Sequence, residues 1–99
     1  MASWAKTMAN ELALFNITVN NVLPGFTSTE RLEELVKNKV RSTKSSKKEV
    51  IRQMEKSVPL GRFAAPSEVA AAVAFLASPA AAYINGINLP VDGGRTKSL

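Results

Sequence analysis

Between Ile17 and Glu30 the chain runs Ile17-Thr18-Val19-Asn20-Asn21-Val22-Leu23-Pro24-Gly25-Phe26-Thr27-Ser28-Thr29-Glu30. Few arrangements accommodate that order. The first half is rich in β-branched residues and reads as a strand over 17–23. Leu23-Pro24-Gly25 then stops it. Pro24 cannot donate to a ladder, and Gly25 tolerates backbone angles that other residues resist. Thr27, Ser28 or Thr29 can cap a helix that begins near Glu30. In open α/β sheets, ligands bind at the carboxyl ends of strands, which is where such a turn lies.

The flanking segments suit the same architecture. Residues 3 to 14 read as a helix capped by Ser3, with Trp4, Met8 and Leu12 as a packing stripe. Ala5, Ala9 and Ala13 beside it would let the helix approach a neighbour closely. Asn16 suits a left-handed C-cap. A second helix is expected from about Thr29 to Val40, with Leu32, Leu35, Val36 and Val40 on one face. Arg41 to Lys48 reads as a charged, mobile loop. A third helix spans about Lys47 to Ser57, with Val50, Ile51, Met54 and Val58 inward, and Pro59 ends it. Gly61 to Ala65 reads as a linker, and Pro66 opens a last helix. That helix is apolar all round from Val69 to Ala77, so it is either core or an interface. Ile87 to Val91 reads as a second strand, at an edge because of Pro90. Residues 95–99 read as a frayed tail.

Two strands joined by helices imply a parallel pair. The 17–23 segment does not alternate apolar and polar residues, as expected of a strand covered on both faces. Within 99 residues only one neighbouring strand is on offer. The fold class is therefore α/β, and its sheet is short of strands.

Composition narrows the chemistry. The chain has no cysteine and no histidine, which removes thiolate sites, the commonest metal ligand and the commonest general base. No metal site is expected. No apolar run approaches the roughly 20 residues needed to span a bilayer, and the N-terminus lacks the order of a signal peptide. A cytoplasmic location is the default expectation, with no membrane partner. The net charge of +5 is concentrated between Lys37 and Lys56, a segment of about +6. That excess reads either as a solvated face or as a complement to an acidic carrier protein or coenzyme A. Nucleic acid is disfavoured, because no aromatic residues interleave the charges.

Three stretches together resemble the C-terminal third of the short-chain dehydrogenase/reductase family, closest to its 3-oxoacyl-carrier-protein-reductase-like branch. Trp4-Ala5-Lys6-Thr7-Met8-Ala9-Asn10-Glu11-Leu12 is similar to the family's interface helix. Ile17 to Gly25, with Thr27 and Thr29, is similar to its sixth strand and Pro-Gly cofactor turn. Pro66-Ser67-Glu68-Val69-Ala70, Phe75-Leu76-Ala77-Ser78, Tyr83-Ile84-Asn85-Gly86 and Val91-Asp92-Gly93-Gly94 are similar to its last helix and seventh strand.

The resemblance implies a C-terminal fragment of a Rossmann-type doubly wound parallel sheet, one partial domain over 1–99. Its parts are an interface helix (3–14), a strand and cofactor turn (17–25), substrate-lid helices (29–58), a last helix and strand (66–94) and a tail (95–99). It also implies hydride transfer between NAD or NADP and a small-molecule hydroxyl or carbonyl substrate. The cofactor-binding residues it implies are Pro24, Gly25, Thr27 and Thr29. No catalytic residue is carried over. The family's Gly-rich dinucleotide turn and its catalytic serine have no match here, and Tyr83, the one tyrosine, aligns with a turn instead of the Tyr-x-x-x-Lys pair. The chain alone is therefore expected to be inactive and to bind no cofactor. Its expected partners are a second copy or the missing N-terminal half. The alternative is a non-catalytic, self-associating interaction module derived from such an enzyme.

Overall fold

The computed structural model describes residues 2–97, with side chains from Trp4 onward. Helix α1 (Ala2–Leu12) continues into a 3-10 turn at Ala13–Phe15. Strand β1 (Asn21–Pro24), the helical pair α2 (Glu30–Thr43) and α3 (Lys47–Lys56), helix α4 (Pro66–Leu76), a 3-10 turn (Pro79–Ala81) and strand β2 (Asn88–Val91) follow in order. β1 and β2 pair in parallel, Asn21 opposite Asn88 and Pro24 opposite Val91. The α/β parallel architecture read from the sequence is therefore present. Among the described residues, no helix is long and apolar enough to cross a membrane.

Pleating explains where the two strand prolines sit. Asn21 and Gly25 donate to Ile87 and Val91, so odd-numbered residues of both strands face the partner strand and even-numbered residues face outward. Pro24 and Pro90 thus lie on the two outer edges, where their missing N–H breaks no bond of the pair. Pro24, expected to stop the strand, is its last paired residue.

β1 is shorter than the 17–23 reading, and asparagine chemistry is the reason. Residues 17–20 run beside 84–87 with one main-chain bond, from the Gly86 N–H to the Val19 carbonyl at 2.9 Å, and are otherwise joined to them through side chains. Asn85 Oδ1 accepts from the Val19 N–H at 3.0 Å, and Asn20 Oδ1 accepts from the Ile87 N–H at 3.1 Å. Asn20 Nδ2 donates to the Ile84 carbonyl at 3.3 Å. The expected cover on both faces is also not supplied within the chain, since Ile17 is 46% and Leu23 41% exposed.

Helix α1 docks by its alanines. Ala5 and Ala9 are buried with Ala81, while Trp4, expected to pack, is 65% exposed. The close approach lets Asn85 Nδ2 donate to the Ala9 carbonyl at 3.2 Å and Lys6 Nζ to the Gly86 carbonyl at 3.1 Å. Ser3 lies inside the helix instead of capping it, and its side chain is outside the described residues. Asn16 takes the expected left-handed C-cap, φ 64°.

The largest apolar core belongs to the α2–α3 pair. Leu32, Val36, Val50 and Met54 are buried together, with Phe26, Val40, Ile51 and Phe63 packed against them. α2 runs three residues past its expected end because the Ser42 and Thr43 hydroxyls donate to the Lys39 carbonyl, and Lys44 closes it at φ 56°. Only residues 44–46 remain of the expected 41–48 loop, and the Ser46 hydroxyl accepts from the Glu49 N–H to start α3.

The chain is elongated, 54 × 24 × 24 Å, with a radius of gyration of 16.7 Å. A compact chain of this length would measure about 13 Å. Helix α4 carries no buried residue, with Val73 50% and Phe75 48% exposed. Of the two readings open for it, core is not realised within this chain.

Candidate functional site

The carboxyl end of β1 leads straight into the turn that the sequence singles out. Two contacts shape that turn. Gly25 donates to the Val91 carbonyl at 2.9 Å, which brings it against the next residue, Asp92. A methyl group at position 25 would lie 2.7 Å from Asp92 Cβ and 2.8 Å from its Cα. Glycine is required here by close approach of the chain to itself. The expected reason, backbone angles that other residues resist, does not apply, since Gly25 is not among the glycines at positive φ.

On the other side of the turn, Ser28 donates to the Ala64 carbonyl and Ala64 to the Phe26 carbonyl, both at 2.9 Å. The 61–65 segment is thus more than a linker: it contributes an isolated parallel bridge, Thr27 opposite Ala64. Thr29 is the N-cap of α2, its Oγ1 accepting from the Leu32 N–H at 3.3 Å. Of the three capping candidates, Thr29 takes the role. Thr27 Oγ1 donates to the Gly25 carbonyl at 3.0 Å, which holds the turn folded on itself.

Pro24, Gly25, Thr27 and Thr29 all line one open cleft of about 780 Å³. The four residues named from the sequence are therefore neighbours along a single surface. Phe26 completes the turn side. Arg31, Leu35 and Asn38, one face of α2 at spacings of four and three, form a second wall, and Pro66 and Val69 of α4 a third. Leu35, placed by its spacing on the hairpin's inner stripe, is 39% exposed and looks into this cleft instead. The sequence reading missed the α4 wall, since nothing in the 66–69 pattern points across the fold. It missed the α2 wall as well, having grouped Leu35 with the inner stripe of Leu32, Val36 and Val40.

The chemistry available is that of a cradle. After capping, the Thr29 hydroxyl keeps its proton for donation, and Thr27 keeps its acceptor lone pairs. The Thr27–Ala64 bridge uses the polar groups of Phe26 and Ser28, so the main-chain N–H and C=O of Thr27 point away from Ala64. Arg31 and Glu34 bring one basic and one acidic side chain to the cleft, and among the described residues no group of three or more potential metal ligands is assembled.

Two acids held below their ordinary values, Glu68 and Asp92, flank the site and serve the scaffold. The Arg62 guanidinium, 2.7 Å and 2.9 Å from the two carboxylate oxygens, and the Ala65 N–H hold the Glu68 carboxyl down at about 2. Glu68 thereby fixes the start of α4 and the segment that carries Ala64. The Thr96 hydroxyl, with the N–H groups of Thr96 and Gly94, holds the Asp92 carboxyl below its ordinary value. These last bonds correct the expected tail. Thr96 N donates to Asp92 Oδ2 at 2.9 Å and Arg95 lies over Phe26, so the chain is anchored through Thr96. Ser98 and Leu99 lie outside the described residues.

Comparison with known proteins gives this geometry a lineage. A family model described as Enoyl-(Acyl carrier protein) reductase matches residues 1–96. The NADPH-dependent reductase BacG of Bacillus subtilis is 39% identical over 95 residues, 96% of this chain and 37% of that protein. The 3-oxoacyl-[acyl-carrier-protein] reductase FabG of Vibrio harveyi is 43% identical over 91 residues, 92% of this chain and 33% of that protein. A crystal structure of a short chain dehydrogenase family protein from Francisella tularensis superposes with a TM-score of 0.92 at 36% identity, covering 98% of this chain and 40% of that one. The chain thus spans about a third of the length of the curated relatives it matches.

Proposed function

We propose, because the chain belongs to the short-chain dehydrogenase/reductase family, that residues 1–99 form the cofactor-turn and substrate-lid portion of an NAD(P)-dependent oxidoreductase. The reaction is hydride transfer between a hydroxyl or carbonyl substrate and the dinucleotide. The observation that carries this reading is the convergence of Pro24, Gly25, Thr27 and Thr29 on one cleft walled by α2 and α4. Bound NAD(P) would supply the hydride acceptor or donor. This chain's own part is to hold the nicotinamide end. The Thr29 hydroxyl donates, Thr27 offers its oxygen, and the start of α2 presents its dipole to polar groups of the ligand. The apolar wall of Leu32, Leu35 and Val69 excludes water from the substrate side.

The 1–99 sequence contains no Tyr-x-x-x-Lys pair and no Gly-rich dinucleotide turn. Turnover therefore needs residues supplied by a further segment. Purified 1–99, assayed by NAD(P)H absorbance with a panel of carbonyl compounds, should give no turnover. A clear hydride-transfer rate would refute this.

A second reading, a self-associating module without catalysis, is favoured by the apolar residues left open. Trp4, Ile17, Leu23, Val73 and Phe75 are each between 41% and 65% exposed, and Leu14, Phe15 and Tyr83 are more exposed still. Light scattering across a concentration series separates the two. A stable dimer without ligand binding supports the module. A monomer with poor unfolding cooperativity, or aggregation, supports an incomplete piece of the enzyme.

A further inference from the structure

The turn of the candidate site is gripped from the C-terminal side by one cation. The Arg95 guanidinium carbon lies 4.4 Å from the centre of the Phe26 ring. Phe26 in turn meets Phe63 edge to face, with centroids 5.9 Å apart and planes at 73°. Phe26 and Phe63 both pack against the α2–α3 core. Arg95 does not reach this position on a loose tail. Its N–H donates to the Asp92 carbonyl at 3.3 Å, while Asp92 Oδ1 and Oδ2 accept from the N–H groups of Gly94 and Thr96. Asp92 is the residue against which Gly25 is pressed. One short segment, 92–96, therefore holds two successive residues of the turn, Gly25 by steric contact and Phe26 by its ring.

Phe26 also occupies a decisive place. It lines both the 780 Å³ cleft and a smaller pocket of about 230 Å³ next to Asp92 and Gly94. Phe26 is thus shared by the two spaces. A cation over an aromatic face holds a ring in place without a fixed hydrogen-bond geometry.

We infer that Arg95 is a positioning residue for the candidate site: stacked on Phe26 and anchored through Asp92, it fixes the Gly25–Thr29 turn against the lid hairpin. The inference concerns the chain's own geometry and stands or falls independently of which ligand the cleft takes.

The test uses the whole 1–99 chain and reads two signals by nuclear magnetic resonance. The first is the ring-current shift of the Arg95 side-chain protons. It should be upfield in the natural sequence and vanish in Phe26→Leu. Its absence from the natural sequence would overturn the inference. The second is amide hydrogen exchange. Ser28 and Ala64 report the bridge beside Phe26, and Asn21 and Gly86 report the β1 side of the fold. Arg95→Leu should speed exchange at Ser28 and Ala64 by about two- to fivefold, the scale of an exposed cation–aromatic contact, with Asn21 and Gly86 unchanged. Arg95→Lys should restore most of the protection. Equal acceleration at all four amides would mean that Arg95 acts on overall stability, and no acceleration at Ser28 and Ala64 would mean that it holds nothing; either overturns the inference. Combining Arg95→Leu with Phe26→Leu should add nothing to Phe26→Leu alone, whereas full additivity contradicts an action through the ring.

Discussion

Gly25 rests directly on Asp92, with room for a hydrogen atom and nothing larger: a methyl at 25 would stand 2.8 Å from the Asp92 main-chain Cα. Because the obstacle includes backbone, no rotamer change relieves it. Gly25→Ala should cost about 1–3 kcal/mol, the scale of overpacking in a tight site. Urea titration followed by circular dichroism measures it. An alanine variant of unchanged midpoint would show that the β1 end and the 92–96 segment separate freely.

Thr29 offers a cleaner probe of the start of α2. Its hydroxyl is the acceptor for the Leu32 N–H. Thr29→Ala should lose about 1 kcal/mol of stability, and Thr29→Ser should lose almost none. Exchange at the Leu32 amide should rise in the alanine variant alone. Equal behaviour of the two variants would remove Thr29 from the capping role.

Met54 belongs to the buried α2–α3 core and is 4% exposed. Truncation to alanine should destabilise α2 and α3 together by about 2–5 kcal/mol. In a chain whose buried core is this small, the expected readout is collapse of the helical circular dichroism signal at ambient temperature. Retention of full helicity in Met54→Ala would mean that the hairpin is stabilised by some other contact.

Acid should loosen the start of α4 first. The Glu68 carboxyl is held at about 2 in the folded chain by Arg62 and the Ala65 N–H. Its folded pKa lies below its unfolded one, so its contribution is complete above the ordinary glutamate range. It is lost as pH falls from that range toward about 2. Exchange at the Glu68 and Ala65 amides, followed from pH 6 down to about pH 3 after correction for intrinsic rates, should rise in the natural chain. In Glu68→Gln it should be raised already at neutral pH and change less. Asp92 titrates in the same direction, so its amide neighbours Gly94 and Thr96 serve as the internal comparison.

Local signals were the legible ones. Asn16 at a helix end, Thr29 before Glu30 and Pro66 at the first turn of α4 each act within a few residues, and the fold uses them as read. The candidate turn was legible for the same reason, since strand, Pro-Gly and capping threonine are contiguous. What escaped depends on contacts far along the chain. Asn20 and Asn85 replace most of a ladder with side-chain bonds across more than 60 residues, and no pattern within either segment announces that pairing. Trp4 looked like packing because of its size and spacing. The side that the fold buries is the one that lets backbones approach, and that belongs to Ala5 and Ala9. The grip of Arg95 on Phe26 spans most of the chain, and a lone arginine near a terminus carries no local mark of it.

The outward-facing prolines have a consequence for solubility. A strand arriving on the outer edge of β1 would find the amide of Val22 and then Pro24. One arriving beyond β2 would find Asn88 and then Pro90. On either edge the ladder ends after a single donor. A two-stranded sheet with apolar faces is otherwise a natural seed for cross-β growth. In this chain the seed is blunted at both rims, so edge-to-edge growth of the sheet is discouraged.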